Sequence, residues 1–264
     1  MHSLEINLDV NKKIYFASDF HLGAPNALSS LERERKIIRW LDQIRHDAQT
    51  IILLGDIFDF WFEYKHVVPK GYVRIIGKFA ELADAGIQLI FFTGNHDMWM
   101  FDYLPSQFKV QIYRTPQTLL CSGKKFFLHH GDGLGSYDKK YKVMKLFFNS
   151  KICQRLFAFL HPYIGFTIAT TWSKESRIAN HENDEIFLGE DEWLWQYVKK
   201  LHHTQYHDYY IMGHRHFFMT LPVGDSGTYI NLGEWVKNSN YASFNGFAVE
   251  TSVFEPTNTP AYAP

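Results

Sequence analysis

At 264 residues the chain has room for one large domain, or a domain carrying an insertion, because single cores stop growing near about 250 to 300 residues. A composition 46% hydrophobic and 21% charged is that of a globular protein, and no run of about 18 apolar residues is present to span a bilayer. The net charge of −1 gives no whole-chain attraction to nucleic acid, and two cysteines, Cys121 and Cys153, far apart and outside any Cys-x-x-Cys spacing, imply reduced thiols rather than a disulfide framework.

Residues 1–13 lack the charged head and apolar stretch of a secretion signal, which together with the reduced thiols predicts a cytoplasmic protein. Apolar runs at 13–18, 50–54 and 87–93 then alternate with helical patterns at 29–47 and 71–85. This βαβαβ series predicts an α/β fold with a parallel sheet, its strands nearly all apolar because both faces are buried. Further strands are expected at 124–128 and 208–212, and a hairpin at 217–222 and 228–232 around Gly224-Asp225-Ser226-Gly227. Between 137 and 203 the pattern is helical and unusually bulky, which predicts an inserted cap. The Pro- and Thr-rich residues 255–264 read as a free tail, leaving 1–254 as one domain.

Ligands of such sheets sit beyond the carboxyl ends of the strands, and those ends carry the polar residues. They are Asp19-Phe20-His21, Gly55-Asp56-Ile57-Phe58-Asp59, Gly94-Asn95-His96-Asp97, His129-His130-Gly131-Asp132 and Gly213-His214-Arg215-His216. Asp-x-His and His-x-His each put two side chains on one side of an extended segment, and the two oxygens of Asp56 can bridge two cations. Each motif alone is more often a surface pair or a turn. Five of them, all following predicted strands, supply about seven ligands, enough for two divalent ions. Mixed carboxylate, carboxamide and imidazole donors favour Mn, Fe or Zn over Mg or Ca. Such a pair of ions activates water and draws charge from a phosphoryl group.

The order D-x-H, G-D-x-x-D, G-N-H-D, a later H, then G-H-x-H, running over 13–232, resembles the calcineurin-like metallophosphoesterases. That resemblance implies a sandwich of two mixed β-sheets flanked by helices. It also implies one metal held by Asp19, His21, Asp56 and His216, and a second held by Asp56, Asn95, His130 and His214. His129 rivals His130, but the His-Gly-Asp triplet favours His130. Asp56 bridges in this scheme, and His96, oriented by a carboxylate such as Asp97, donates a proton to the leaving group or a hydrogen bond to the phosphoryl oxygens.

A narrower resemblance rests on Gly55-Asp56-Ile57-Phe58-Asp59-Phe60-Trp61, on Asp138-x-x-Tyr141 after His130-Gly131-Asp132, and on an aromatic insertion ending in Ser173-Lys174-Glu175. In these the chain is similar to the UDP-2,3-diacylglucosamine pyrophosphatases of lipid A synthesis. That family hydrolyses a lipid-linked sugar nucleotide to UMP and an acylated sugar 1-phosphate, usually with manganese. Lys142, Lys145, Lys151 and Arg155 punctuate an apolar stripe that includes Val143, Phe147, Phe148, Ile152, Leu156, Phe157 and Leu160. A basic, amphipathic helix pair of this kind suits acyl chains and peripheral contact with the cytoplasmic face of the inner membrane. Asp138, Tyr141, Ser173, Lys174 and Arg177 flank the insertion and are candidate substrate contacts. No basic stripe interleaved with exposed aromatics lies near the motif loops, so no nucleic-acid partner is expected. At the position after Asn95 the lipid A enzymes usually carry arginine, whereas His96 stands here, as in general phosphoesterases. A soluble phosphodiester or monoester therefore remains the alternative substrate.

Overall fold

The computed structural model describes residues 3–24, 29–135, 139–184 and 186–255, with the backbone alone at 139, 140, 174 and 176–184. Two six-stranded mixed sheets form the centre. One runs in the order β12 (Val249–Val253), β11 (Asn240–Phe244), β2 (Lys13–Ala17), β3 (Ala48–Leu54), β4 (Gln88–Phe92), β5 (Gln111–Tyr113). The other runs β1 (Ser3–Ile6), β6 (Gln117–Cys121), β7 (Lys124–Leu128), β8 (Tyr209–Met212), β10 (Gly227–Leu232), β9 (Phe218–Val223). The α/β sandwich implied by the sequence is the fold observed.

Side-chain alternation along each strand sorts the apolar residues into layers. Ile14 and Phe16, Ile52 and Leu54, Ile90 and Phe92 face the second sheet, where they meet Leu119, Phe126, Leu128, Ile211, Ile230 and Leu232 in one buried cluster. The alternate residues Tyr15, Ala17, Ile51, Leu53, Leu89 and Phe91 turn outward onto helices α1 (Ser30–Ile44), α2 (Val73–Asp84) and the short α3 (Tyr103–Phe108). Helix α1 starts in a capping box, with Ser29 and Glu32 satisfying each other's backbone N–H groups, and buries Ile37, Trp40, Leu41 and Ile44 on one face. On the opposite side Phe127, Tyr210, Met212 and Tyr229 turn outward onto α7 (Trp193–Thr204), which buries Leu194 and Val198.

Helix α7 therefore covers a sheet, although its bulky texture groups it with the insertion in the sequence. The cap proper is α4 (Lys139–Asn149), α5 (Lys151–Ala158) and α6 (Pro162–Asp184). It meets the sandwich through Phe148, Cys153 and Phe157, which pack on Phe62, Met98 and Trp99. The Trp99 indole N–H also donates to the Phe148 carbonyl at 2.9 Å. On the other side, Asp132 is buried and accepts from the Tyr141 hydroxyl and the Lys145 ammonium of α4, each at 2.6 Å. No helix among the described residues is long and apolar enough to cross a membrane. Glu255, assigned to the tail in the sequence, pairs with Arg39 at 2.6 Å, and residues 256–264 lie outside the described residues.

Candidate metal centre

The parallel pairing of β2, β3 and β4, and of β7 and β8, brings five strand ends to one edge of the sandwich. Backbone hydrogen bonds lace the loops there. The N–H groups of Asp19 and His21 donate to the carbonyls of Gly55 and Asp56 at 3.1 and 2.9 Å, and that of Gly213 donates to the His130 carbonyl at 2.8 Å. The Asn231 amide, fully buried, donates to the Gly213 carbonyl at 2.6 Å and holds the last loop down. Asp19, His21, Asp56 and His214 all adopt positive φ, between 44° and 69°. Each such non-glycine residue costs about 1–3 kcal/mol and persists only where its surroundings over-determine it. Here the sharp turns aim the side chains inward.

The donor atoms converge. Asp19, His21 and His216 offer ligand atoms within 4.8 Å of one another, as do Asp19, Asp56 and His130. His21 Nε2 and His216 Nε2 face each other at 3.0 Å. His130 Nε2 lies 3.3 Å from Asp56 Oδ2 and 3.2 Å from Asn95 Oδ1, which is also 3.0 Å from His214 Nδ1. His130 Nδ1 donates to the Leu54 carbonyl at 2.7 Å, so its Nε2 is directed inward. His129 instead turns its Nδ1 to the Gly131 N–H at 3.0 Å. Asp19 Oδ1 is buried with no hydrogen-bond partner, an arrangement that costs free energy unless a cation meets it. Facing imidazole nitrogens, an orphaned carboxylate oxygen and a carboxylate shared between two groups of donors fit a dinuclear metal site.

Charges within the cluster shift together. Burial disfavours the charged forms of His21 and His130, yet the carboxylates of Asp19 and Asp59, each 3.6 Å from a ring nitrogen, raise His21 to about 10, and the charge of Asp56 raises His130 to about 10. Burial likewise works against the Asp56 carboxylate, but the charges of His130 and His96 hold it low, and Asp19 lies well below the usual range through His21 and His216. His214 is pushed down to about 4 by burial and by the charge on His130. A testable consequence concerns metal uptake. At neutral pH the metal-free protein carries His21 and His130 protonated and His214 neutral, whereas a ligating imidazole must be neutral. Loading the site then releases about two protons, and apparent affinity rises with pH until near 10. Titration calorimetry in buffers of different ionisation enthalpy reads this directly, and pH-independent affinity is the contrary result.

Three residues take places that sequence reasoning does not give them. Asp97 does not orient His96. Its buried carboxylate accepts the backbone N–H groups of Gly94 and Ile57, each at 2.8 Å, and of Asp56 at 3.3 Å, tying the second and third loops together. Burial and the charge of Asp56 raise it to about 7. Asp59 has the part expected of Asp97. Its carbonyl oxygen lies 3.1 Å from His96 Nδ1, and its Oδ1 lies 3.6 Å from His21 Nδ1 and 3.7 Å from His96 Nδ1. The signal was present as the second aspartate of Asp56-x-x-Asp59. Arg215, the unassigned middle residue of the last loop, is buried and paired with buried Glu192 at 2.8 Å, which joins that loop to the start of α7.

The metal loops open into a cavity of about 630 Å³. Asp56, Asn95, His96, His214 and His216 form its polar end. Phe60, Met98 and Trp99 from the sandwich, with Met144, Phe148, Phe157, Leu160, Ile168 and Trp172 from the cap, form its apolar walls. Tyr141 and Ser173 border it as well. Asp138 lies outside the described residues, while Lys174 and Arg177 are placed on α6 without described side chains.

The sequence matches the family model described as calcineurin-like phosphoesterase over residues 12–218. It is 36% identical over 252 residues to a UDP-2,3-diacylglucosamine hydrolase of Porphyromonas gingivalis, an alignment covering 90% of this chain and 95% of that protein. It is 27% identical over 236 residues to a UDP-2,3-diacylglucosamine hydrolase of Haemophilus influenzae, covering 88% and 93% respectively.

Proposed function

We propose, from the premise that this chain belongs to the calcineurin-like phosphoesterases and is a metal-dependent hydrolase, that its reaction is cleavage of UDP-2,3-diacylglucosamine to UMP and 2,3-diacylglucosamine 1-phosphate. The observation that carries this reading is the union of the metal loops with the apolar cavity. At about 630 Å³ the cavity is of the size that holds a sizeable ligand, roughly 300–1,000 Å³, and its walls are aromatic and aliphatic away from the metal ligands. A phosphoester with two acyl chains fits such a division, with its pyrophosphate at the polar end and hydrocarbon against Trp99, Phe148, Phe157 and Trp172. The names of the relatives from P. gingivalis and H. influenzae agree with it.

Asp19, His21, Asp56 and His216 would hold one ion, and Asp56, Asn95, His130 and His214 the other; the mixed oxygen and nitrogen donors suit manganese, iron or zinc, of which manganese is the metal we propose. When bound, the two ions supply Lewis acidity toward the phosphoryl oxygens and a water acidic enough to deprotonate near neutral pH. The chain's own part is to orient and exclude. His96 presents its ring at the polar end of the cavity beside Asn95, and the cap shields the site from bulk water. The outer surface of the cap leaves Leu146, Ile152, Leu156, Phe159 and Tyr163 exposed near Lys151 and Arg155. That surface supports a cytoplasmic protein resting on the anionic inner face of a membrane.

His96, in place of the arginine usual in the lipid A enzymes, favours a second reading, hydrolysis of a soluble phosphodiester or monoester. Manganese-loaded protein incubated with UDP-2,3-diacylglucosamine separates the two. Rapid UMP release is expected, and its absence in a preparation active on a generic phosphodiester would select the second reading.

A further inference from the structure

The last metal loop carries an arginine between its two histidines, and we infer that Arg215 is a positioning residue, whose ion pair with Glu192 fixes His214 and His216 to helix α7 and so sets where both imidazoles stand. The inference rests on the metal-dependent hydrolase reading of the site and not on the lipid reading. Both charged side chains are buried, Arg215 at 3% exposure and Glu192 at 0%. The guanidinium forks onto the carboxylate, Nε donating to Oε1 at 2.8 Å and Nη2 to Oε2 at 3.2 Å. Nη2 also donates to the Ile186 carbonyl at 2.8 Å, in the stretch that leads from the cap back to α7.

Stability alone does not account for this pair. Two charges taken out of water gain little or nothing over apolar residues of similar volume, whereas a forked arginine–carboxylate pair fixes both distance and angle. Glu192 stands at the N-cap of α7, where an acidic side chain ordinarily accepts the N–H groups of its own helix. It makes no such bond, and both of its oxygens serve Arg215 instead. Helix α7 is a firm anchor, because Leu194 and Val198 bury it on the second sheet. The loop so anchored is one that needs holding. His214 has a φ of 69°, a conformation that persists only where its surroundings impose it. On the inner side Asp19 Oδ2 accepts the His214 N–H at 3.0 Å, and on the outer side the Arg215 fork completes the grip. Trp193, next to Glu192, meets the His214 ring edge-on with centroids 5.8 Å apart, so the same anchor steadies that imidazole from a second direction.

The test compares wild type, Arg215→Met, Glu192→Met and the double variant. Each single change leaves one buried charge unpaired and is expected to destabilise the fold, whereas the double change removes both charges and should restore a melting temperature near that of the wild type. Positioning does not return with stability. The double variant is expected to bind manganese at least about tenfold more weakly by titration calorimetry, to shift the visible absorption of the cobalt-loaded protein, and to lose about 100-fold in kcat on bis(p-nitrophenyl) phosphate with KM little changed. A double variant that recovers wild-type manganese affinity, cobalt spectrum and kcat together with its melting temperature overturns the proposal, because the pair would then serve the fold alone. Should the double variant fail to fold, Arg215→Lys, which keeps the charge but lacks the fork, is read in the same way. Wild-type protein inactive on the diester counts against the hydrolase reading, while the manganese affinity and the cobalt spectrum still decide the part played by Arg215.

Discussion

Asp56→Ala is expected to abolish hydrolysis and to lower metal content from two ions to at most one per chain. Asp56 is buried, lies 3.3 Å from His130 and 3.8 Å from His21, and also accepts the His96 N–H at 2.9 Å. Its Oδ2 faces a histidine of each donor group, and in the proposed two-ion scheme its removal leaves each ion short of an anionic ligand. The effect is visible without substrate. A metal at about 100 times its Kd stabilises the folded state by about 2.7 kcal/mol, so manganese should raise the melting temperature of the wild type and leave that of Asp56→Ala nearly unchanged. Two ions bound by the variant, by elemental analysis, would remove Asp56 from the bridging position.

Gly94→Ala is expected to come close in severity while leaving every ligand in the sequence. A Cβ at position 94 would lie 2.2 Å from Asp56 Oδ1 and 2.7 Å from the Asp56 backbone nitrogen. The side-chain atom can swing away only by leaving its place in the metal site, and the backbone atom cannot move without parting the second and third loops. Misplacement of a reacting group by about 1 Å can cost about 100-fold in rate, and overpacking of this kind costs about 1–3 kcal/mol in stability. A loss of kcat/KM of at least that order, with the fold retained by circular dichroism, is the outcome expected. Near-normal activity would mean that the two loops are not clamped as described.

How much of this was legible in the sequence depends on the reach of each signal. The βαβαβ half was legible because strands buried on both faces are short apolar runs, and the helices between them repeat at the helical period. The strand Lys124–Leu128 agrees residue for residue. The outer strands were not legible. Val249–Val253 is mostly exposed and polar, and Ser3–Ile6 pairs with Gln117–Cys121 from more than a hundred residues away, so neither is declared by local pattern. The five loops could be read because their ligands are consecutive motifs. Asp97 and Asp59 exchanged parts because spacing gives a carboxylate's neighbourhood but not its direction. Only the fold turns Asp97 toward backbone N–H groups, and Asp59 toward His21 and His96. Assignment of the bulky helical stretch as one insertion failed for α7 because an apolar face reads alike whether it covers a sheet or a ligand cavity.

The most direct measurement of the central claim, a metal centre that opens into a cavity for hydrocarbon, is the ratio of kcat/KM for UDP-2,3-diacylglucosamine to that for UDP-N-acetylglucosamine, with the same manganese-loaded preparation and UMP release as the readout. The pyrophosphate is common to both, so the ratio isolates what the apolar walls contribute. Burial of methylenes is worth about 0.8 kcal/mol each, and every 1.4 kcal/mol is about tenfold, so a preference of several orders of magnitude for the acylated substrate is predicted. Equal efficiency on the two would contradict the account.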